Sequence, residues 1–148
     1  MTVTRRYEAR SGPGEPHPTP VAAVNSVLTR AFGQLPEAVR AEAPLYVLCG
    51  DYSRFAAHRF AARCHDSRRL RPSDSIALEA AELIRPCTEA TGHRGACYLI
   101  DGDAAWDTLA AALASEPGPA VECRITVIDD TPAQPGWLVS ATVRGEAV

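Results

Sequence analysis

The residues of this chain that could do chemistry are five cysteines, four histidines and one close pair of carboxylates. Cys49, Cys64, His65, Cys87, His93 and Cys97 carry the thiolates and imidazoles that zinc prefers. No C-x2-C or H-x3-H pair occurs, however, and the adjacent Cys64 and His65 would point in different directions on a helix. The spacing therefore predicts no metal site, and buried free cysteine is the simpler expectation. A nucleophilic thiol needs a base or a cation beside it. The candidates are Cys64 or Cys87 with His58 or His93, and proximity between them is not something a sequence displays. Asp101 and Asp103 have the types of a general acid and base. Turn and cap chemistry explains them more cheaply, with Asp103 at a helix N-cap.

Those carboxylates lie in the stretch where pattern and spacing agree best, residues 95–113, reading G-A-C-Y-L-I-D-G-D-A-A-W-D-T-L-A-A-A-L. Ala96, Cys97, Tyr98, Leu99 and Ile100 form a short apolar run without helical period, which predicts a strand buried on both faces. Asp101-Gly102-Asp103 turns the chain, and Trp106, Leu109, Ala112 and Leu113 then recur at helical spacing, so one face of the helix can pack back on the strand. Strand, sharp turn and helix are the parts of a nucleophile elbow. At the position where such an elbow holds its reactive side chain stands Ala104.

The remaining elements follow from the same signals. Val3, Arg5 and Tyr7 alternate with polar neighbours, a possible first strand at residues 2–8 within an otherwise mobile arm of residues 1–20, whose second half is Pro- and Gly-rich. Val21, Val24, Leu28, Ala31, Phe32 and Leu35 predict a helix over residues 20–35, with a further turn after Pro36. Residues 45–49 read as a strand closed by Gly50-Asp51, followed by a short buried helix around Phe55 and Phe60 that Ser53 could cap. A basic connection spans residues 65–72. Ile76, Ala80, Leu83, Ile84 and Cys87 mark a helix starting near Ser73 or Ser75 and disturbed at Pro86. Val121, Cys123, Ile125 and Val127 alternate with polar residues, as do Trp137, Val139, Ala141 and Val143, which predicts a closing antiparallel hairpin. Trp106 and Trp137 read as core or interface anchors. The order β-α-β-α-α-β-α-β-β predicts one α/β domain over residues 21–148, a mostly parallel five-stranded sheet flanked by helices with its last strand antiparallel.

Composition bounds the function. The chain has 148 residues, 46% hydrophobic and 22% charged, enough for one domain with a real core. All fifteen basic residues are arginine, the coding bias of a GC-rich genome, and a net charge of −3 gives no footprint for nucleic acid. No G-x-G-x-x-G or G-x-x-x-x-G-K-[ST] supports nucleotide binding, and no cofactor is expected. Without a long apolar run or a signal-like start, and with an odd number of cysteines, a cytoplasmic protein without membrane partners is expected.

The central stretch resembles the thiolase fold of β-ketoacyl synthases, whose pattern is close to G-P-x-x-x-V-D-T-A-C-S-S at the end of the third strand. Gly95, Ile100 and Asp101 match, and the family's nucleophilic cysteine falls on Ala104. In outline the resemblance covers residues 21–143. It implies a thiolase-like N-terminal half-domain with a degenerate elbow at Asp101, Gly102, Asp103 and Ala104. The family's catalytic histidines lie in a second half, and 148 residues leave no room for one. The expectation is therefore a non-catalytic accessory or dimerisation protein of acyl-chain biosynthesis, polyketide or fatty acid in type. Its interface would be residues 96–100, and its partner a second copy or a larger synthase subunit, with acyl carrier protein a further candidate. The alternative is a small enzyme using a Cys/His pair on an acyl or thioester substrate.

Overall fold

The computed structural model describes residues 2–66, 79–115, 118–129 and 135–146. Among these residues five strands form one sheet: β1 (Thr2–Ser11), β2 (Leu45–Leu48), β3 (Cys97–Ile100), β4 (Ala120–Asp129) and β5 (Gly136–Glu146), side by side in the order β1-β5-β4-β2-β3. β2 runs parallel to both β3 and β4, while β5 is antiparallel to β4 and to β1. Four strands thus share one direction and the last opposes them, the α/β architecture expected. The strand at residues 2–8 is longer than its pattern suggested. It pairs with β5 from Thr2 to Ser11 and is part of the sheet, not of a mobile arm.

The helices are α1 (Pro20–Phe32), α2 (Glu37–Arg40), α3 (Gly50–Asp66), α4 (Arg85–Thr91) and α5 (Asp103–Ser115), with a 3-10 turn at Ala80–Leu83. α1 starts where Thr19 Oγ1 accepts the Ala22 N–H at 3.2 Å, followed by Pro20 in the first turn, whose missing N–H costs nothing there. Its residues Val24, Val27, Leu28 and Ala31 fall on one face and are completely buried. That face meets one side of the sheet, where Leu45, Val47, Val121, Cys123, Ile125, Val139 and Ala141 project. Trp137 closes the same core against the rings of Tyr52 and Phe55, at 5.8 and 5.4 Å between centroids.

Alternation sends Tyr46 and its neighbours to the opposite side. There only a small cluster forms, Tyr46 and Ala120 with the half-buried Trp106 and Leu109 of α5.

Several local expectations are corrected. α3 is neither short nor mostly buried: it runs seventeen residues, with Gly50, Tyr52 and Ala56 buried and residues 57–66 largely in solvent, because the sheet ends below its first turns. Ser53 does not cap it, since its N–H already bonds the Cys49 carbonyl at 2.9 Å inside the first turn. Pro86 does not disturb a helix but opens α4, at a position that needs no N–H. The basic connection at 67–72 and the helix start near Ser73 or Ser75 lie outside the described residues.

Candidate functional site

β2, β3 and β4 end side by side, and the helices after β2 and β3 leave from that end. α3 departs to the side of the main core and α5 to the other, so a crevice opens at their parting, the usual place for ligands in open α/β sheets. The two exits touch. A Cβ on Gly50 would lie 2.3 Å from the Asp101 carbonyl oxygen, so only glycine lets the start of α3 pass this close to the turn after β3. The cavity there is about 250 Å³ and is bounded by Leu48, Asp51, Arg54, Asp101, Asp103 and Arg124.

Its charges are largely committed to structure. The Asp51 carboxylate accepts the Val127 N–H at 3.0 Å and pairs with Arg54. The Arg124 guanidinium lies over the Trp106 ring, 5.6 Å from its centroid. Asp101, Asp103 and Ala104 are exposed, with Gly102 half-buried between them. The cap differs from the one expected. The Gly102 carbonyl accepts the Trp106 N–H at 3.0 Å, so Gly102 occupies the N-cap and Asp103 is the first helical residue. There its carboxylate adds favourable charge to the helix start. With alanine next, the elbow offers a nucleophile no atom.

β3 corrects the largest expectation. It is not buried on both faces: Cys97, Tyr98 and Leu99 are exposed and Ile100 half-buried, with Ala96 exposed before them. Tyr98 is 50% exposed even though its ring stacks on Tyr46 at 5.0 Å and 9°, and Leu99 is 41% exposed. Among the described residues, β3 is the outermost strand on its side of the sheet. The Leu45 N–H bonds the Ala96 carbonyl at 2.9 Å and the Cys49 N–H bonds the Ile100 carbonyl at 3.0 Å. Residues 96, 98 and 100 therefore turn their peptide groups to β2. By strand alternation, those of Cys97 and Leu99 face away from β2, toward the outer edge.

The expected thiol and imidazole pairs are not what the fold assembles. Cys64 and His58 are both exposed on α3, six residues apart and so well round the helix from each other. Cys87 is buried in the main core, and burial pushes its thiol pKa up. Burial raises Cys49 likewise and pushes Cys123 up to about 12, so these three are inert core thiols. His93 meets Cys97 instead: Nδ1 lies 3.6 Å from Sγ, and Nε2 lies 2.7 Å from the Ala43 carbonyl oxygen. The pairing depends on the path of residues 92–96. A Cβ on Gly95 would come within 2.6 Å of the Glu42 carbonyl oxygen and 2.8 Å of that of Ala43, so glycine allows the approach. The sequence signal was weak, because a spacing of four brings side chains together on a helix, whereas here it spans a loop and the start of a strand. Among the described residues, no group of three or more His, Cys, Asp or Glu could hold a metal ion.

No family model matches the sequence and no curated protein matches it. Among solved structures, the chain is similar to a ketosynthase in complex with its chain length factor from Xenorhabdus doucetiae, with a TM-score of 0.51 and 12% identity. The fold is thiolase-like. The likeness covers 86% of this chain but only 56% of that one, so this chain spans little more than half of the protein it matches. At 12% identity the likeness is one of fold. No helix among the described residues is long and apolar enough to cross a membrane.

Proposed function

We propose that this chain works by association, as a non-catalytic, ketosynthase-like accessory or dimerisation protein of acyl-chain biosynthesis. The observation that carries the reading is the outer edge of β3, where, among the described residues, no strand pairs with the outward peptide groups of Cys97 and Leu99. Such an edge is a liability in an isolated chain, and pairing with another strand removes it. The elbow supports the same reading, since Ala104 supplies no thiol for condensation. The solved protein that this chain resembles in fold is itself a complex of two components.

A second copy is the simplest partner, because a two-fold axis makes one edge complementary to itself. The outward groups of β3 select the register. Cys97 would exchange hydrogen bonds with Leu99 of the other copy, placing Tyr98 opposite its counterpart as the non-bonded pair, about 4.5 Å apart at Cα. That separation suits a disulfide. In a Cys64→Ser, Cys97→Ser background, Tyr98→Cys should therefore form a disulfide-linked dimer on mild oxidation. Tyr98→Asp should yield a folded monomer by light scattering, with stability lowered by no more than about 1 kcal/mol, since half of the ring is already in water. A wild-type chain that is monomeric at high concentration, and that co-purifies with a larger synthase subunit through the same edge, would move the partner from a second copy to that subunit. A monomer whose β3 edge binds nothing would end the proposal.

A further inference from the structure

The Cys97 and His93 pair has a geometry that neither the fold nor an accessory role requires. A carbonyl oxygen only accepts, so the 2.7 Å contact with Ala43 makes His93 Nε2 the protonated nitrogen. In the neutral ring that leaves Nδ1 as the acceptor, 3.6 Å from the Cys97 sulfur. The ring is held on a third side by Phe32, with centroids 5.1 Å apart. The Cys97 hydrogen has a second acceptor in the Gly95 carbonyl oxygen, but that lies farther off at 3.9 Å. Nucleophile, base and a group that orients the base are the three parts of an activated thiol.

We propose that Cys97 is an acyl-acceptor thiol, activated by His93 as general base and taking its acyl group once from a thioester, without turnover, so that the chain stays non-catalytic. The resting state argues for this chemistry over redox exchange. Partial burial raises the Cys97 thiol, so the cysteine rests as a thiol and not as a standing thiolate. Disulfide exchange depends on a standing thiolate, whereas attack on a carbonyl lets the base take the proton during the step and return it to the leaving group. As Sγ bonds to the carbonyl carbon, the thiol proton passes to Nδ1. The tetrahedral adduct then expels the original sulfur, which takes the proton from Nδ1 and departs as a thiol, leaving acyl-Cys97. Leu99, exposed on the same face two residues along β3, supplies apolar surface for the acyl chain. Pairing at the β3 edge uses main-chain groups and leaves this side-chain site on the face of the sheet, so the inference does not rest on the proposed association.

The test is acylation of the full chain by the phenyl thioester of a short fatty acid, followed by mass spectrometry with peptide mapping. Cys64, an exposed thiol on α3, is the internal reference. Cys97 should acylate about 100-fold faster than Cys64, at the low end of what a positioned base contributes. His93→Ala should bring Cys97 to the Cys64 rate while leaving Cys64 unchanged, and added imidazole should restore part of the difference. Equal rates at the two cysteines of the wild-type chain would overturn the proposal, whether or not the variant folds. A folded His93→Ala protein that keeps the fast rate would overturn it too.

Discussion

On one side of the sheet, α1 sets Val24, Leu28 and Phe32, none more than 1% exposed, against the buried rows of β4 and β5. On the other, α5 sets Trp106 and Leu109, both only half-buried, on Tyr46 and Ala120, and among the described residues nothing covers Tyr98 of β3 beyond them. Burial of apolar surface is the main favourable term in folding, so the first side holds the chain together. The second has surface to spare. A helix with alanine at Ala104, Ala105, Ala111 and Ala112 in solvent, beside a strand with exposed Tyr98, is suited to contact with something else.

The contrast can be broken by substitution on each side. Leu28→Ala, in the dense core, should cost about 2 to 5 kcal/mol in chemical denaturation, from lost transfer energy and the cavity left behind. The buried thiols on the same side supply the next largest effect. A thiol whose folded pKa lies above its unfolded value binds more protons in the folded state, so its contribution is intact below the unfolded pKa and is lost as pH rises. For Cys123, held at about 12, the window runs from about pH 9 upward, and stability should fall there by up to about 1.4 kcal/mol per pH unit for this one group. Cys123→Val should flatten that alkaline decline without moving the midpoint at pH 7 by more than about 1 kcal/mol.

The α5 side should respond less. Trp106→Ala removes a large side chain, but one that is only half-buried, and a loss of about 1 to 2 kcal/mol is expected, below that of Leu28→Ala despite the bigger deletion. If the order reversed, the two sides would not differ as described. The smallest effect belongs to Asp103→Ala, which removes a carboxylate in the first turn of α5 but no capping bond. Thermal denaturation should show about 0.3 to 1 kcal/mol, less in high salt. A loss near 2 kcal/mol would instead identify its side chain as the cap.

What could be read beforehand followed the same division. Strands with one covered face announce themselves by alternation, and Val121, Cys123 and Ile125, like Trp137, Val139, Ala141 and Val143, are buried as their period required. The run at residues 96–100 has no alternation, and such a run looks alike whether it ends in the middle of a sheet or at its edge. Two readings of burial failed at this point and at α3, both for want of knowing where the sheet stops.

The sequence by itself determined the elements and the elbow without a nucleophile, because helical and strand periods, turn residues and an alanine at residue 104 are local properties. It also determined that one strand of five would oppose the rest, since a short link between β4 and β5 allows no parallel crossover. Tertiary structure alone decided the order of the strands, which puts β1 beyond β5 and makes β3 the outermost strand at the other edge among the described residues. It likewise decided that His93 should meet Cys97 and not Cys64 or Cys87. That meeting depends on how residues 92–96 cross the Glu42 and Ala43 carbonyls on their way into the sheet, a contact between segments some fifty residues apart that no local pattern encodes.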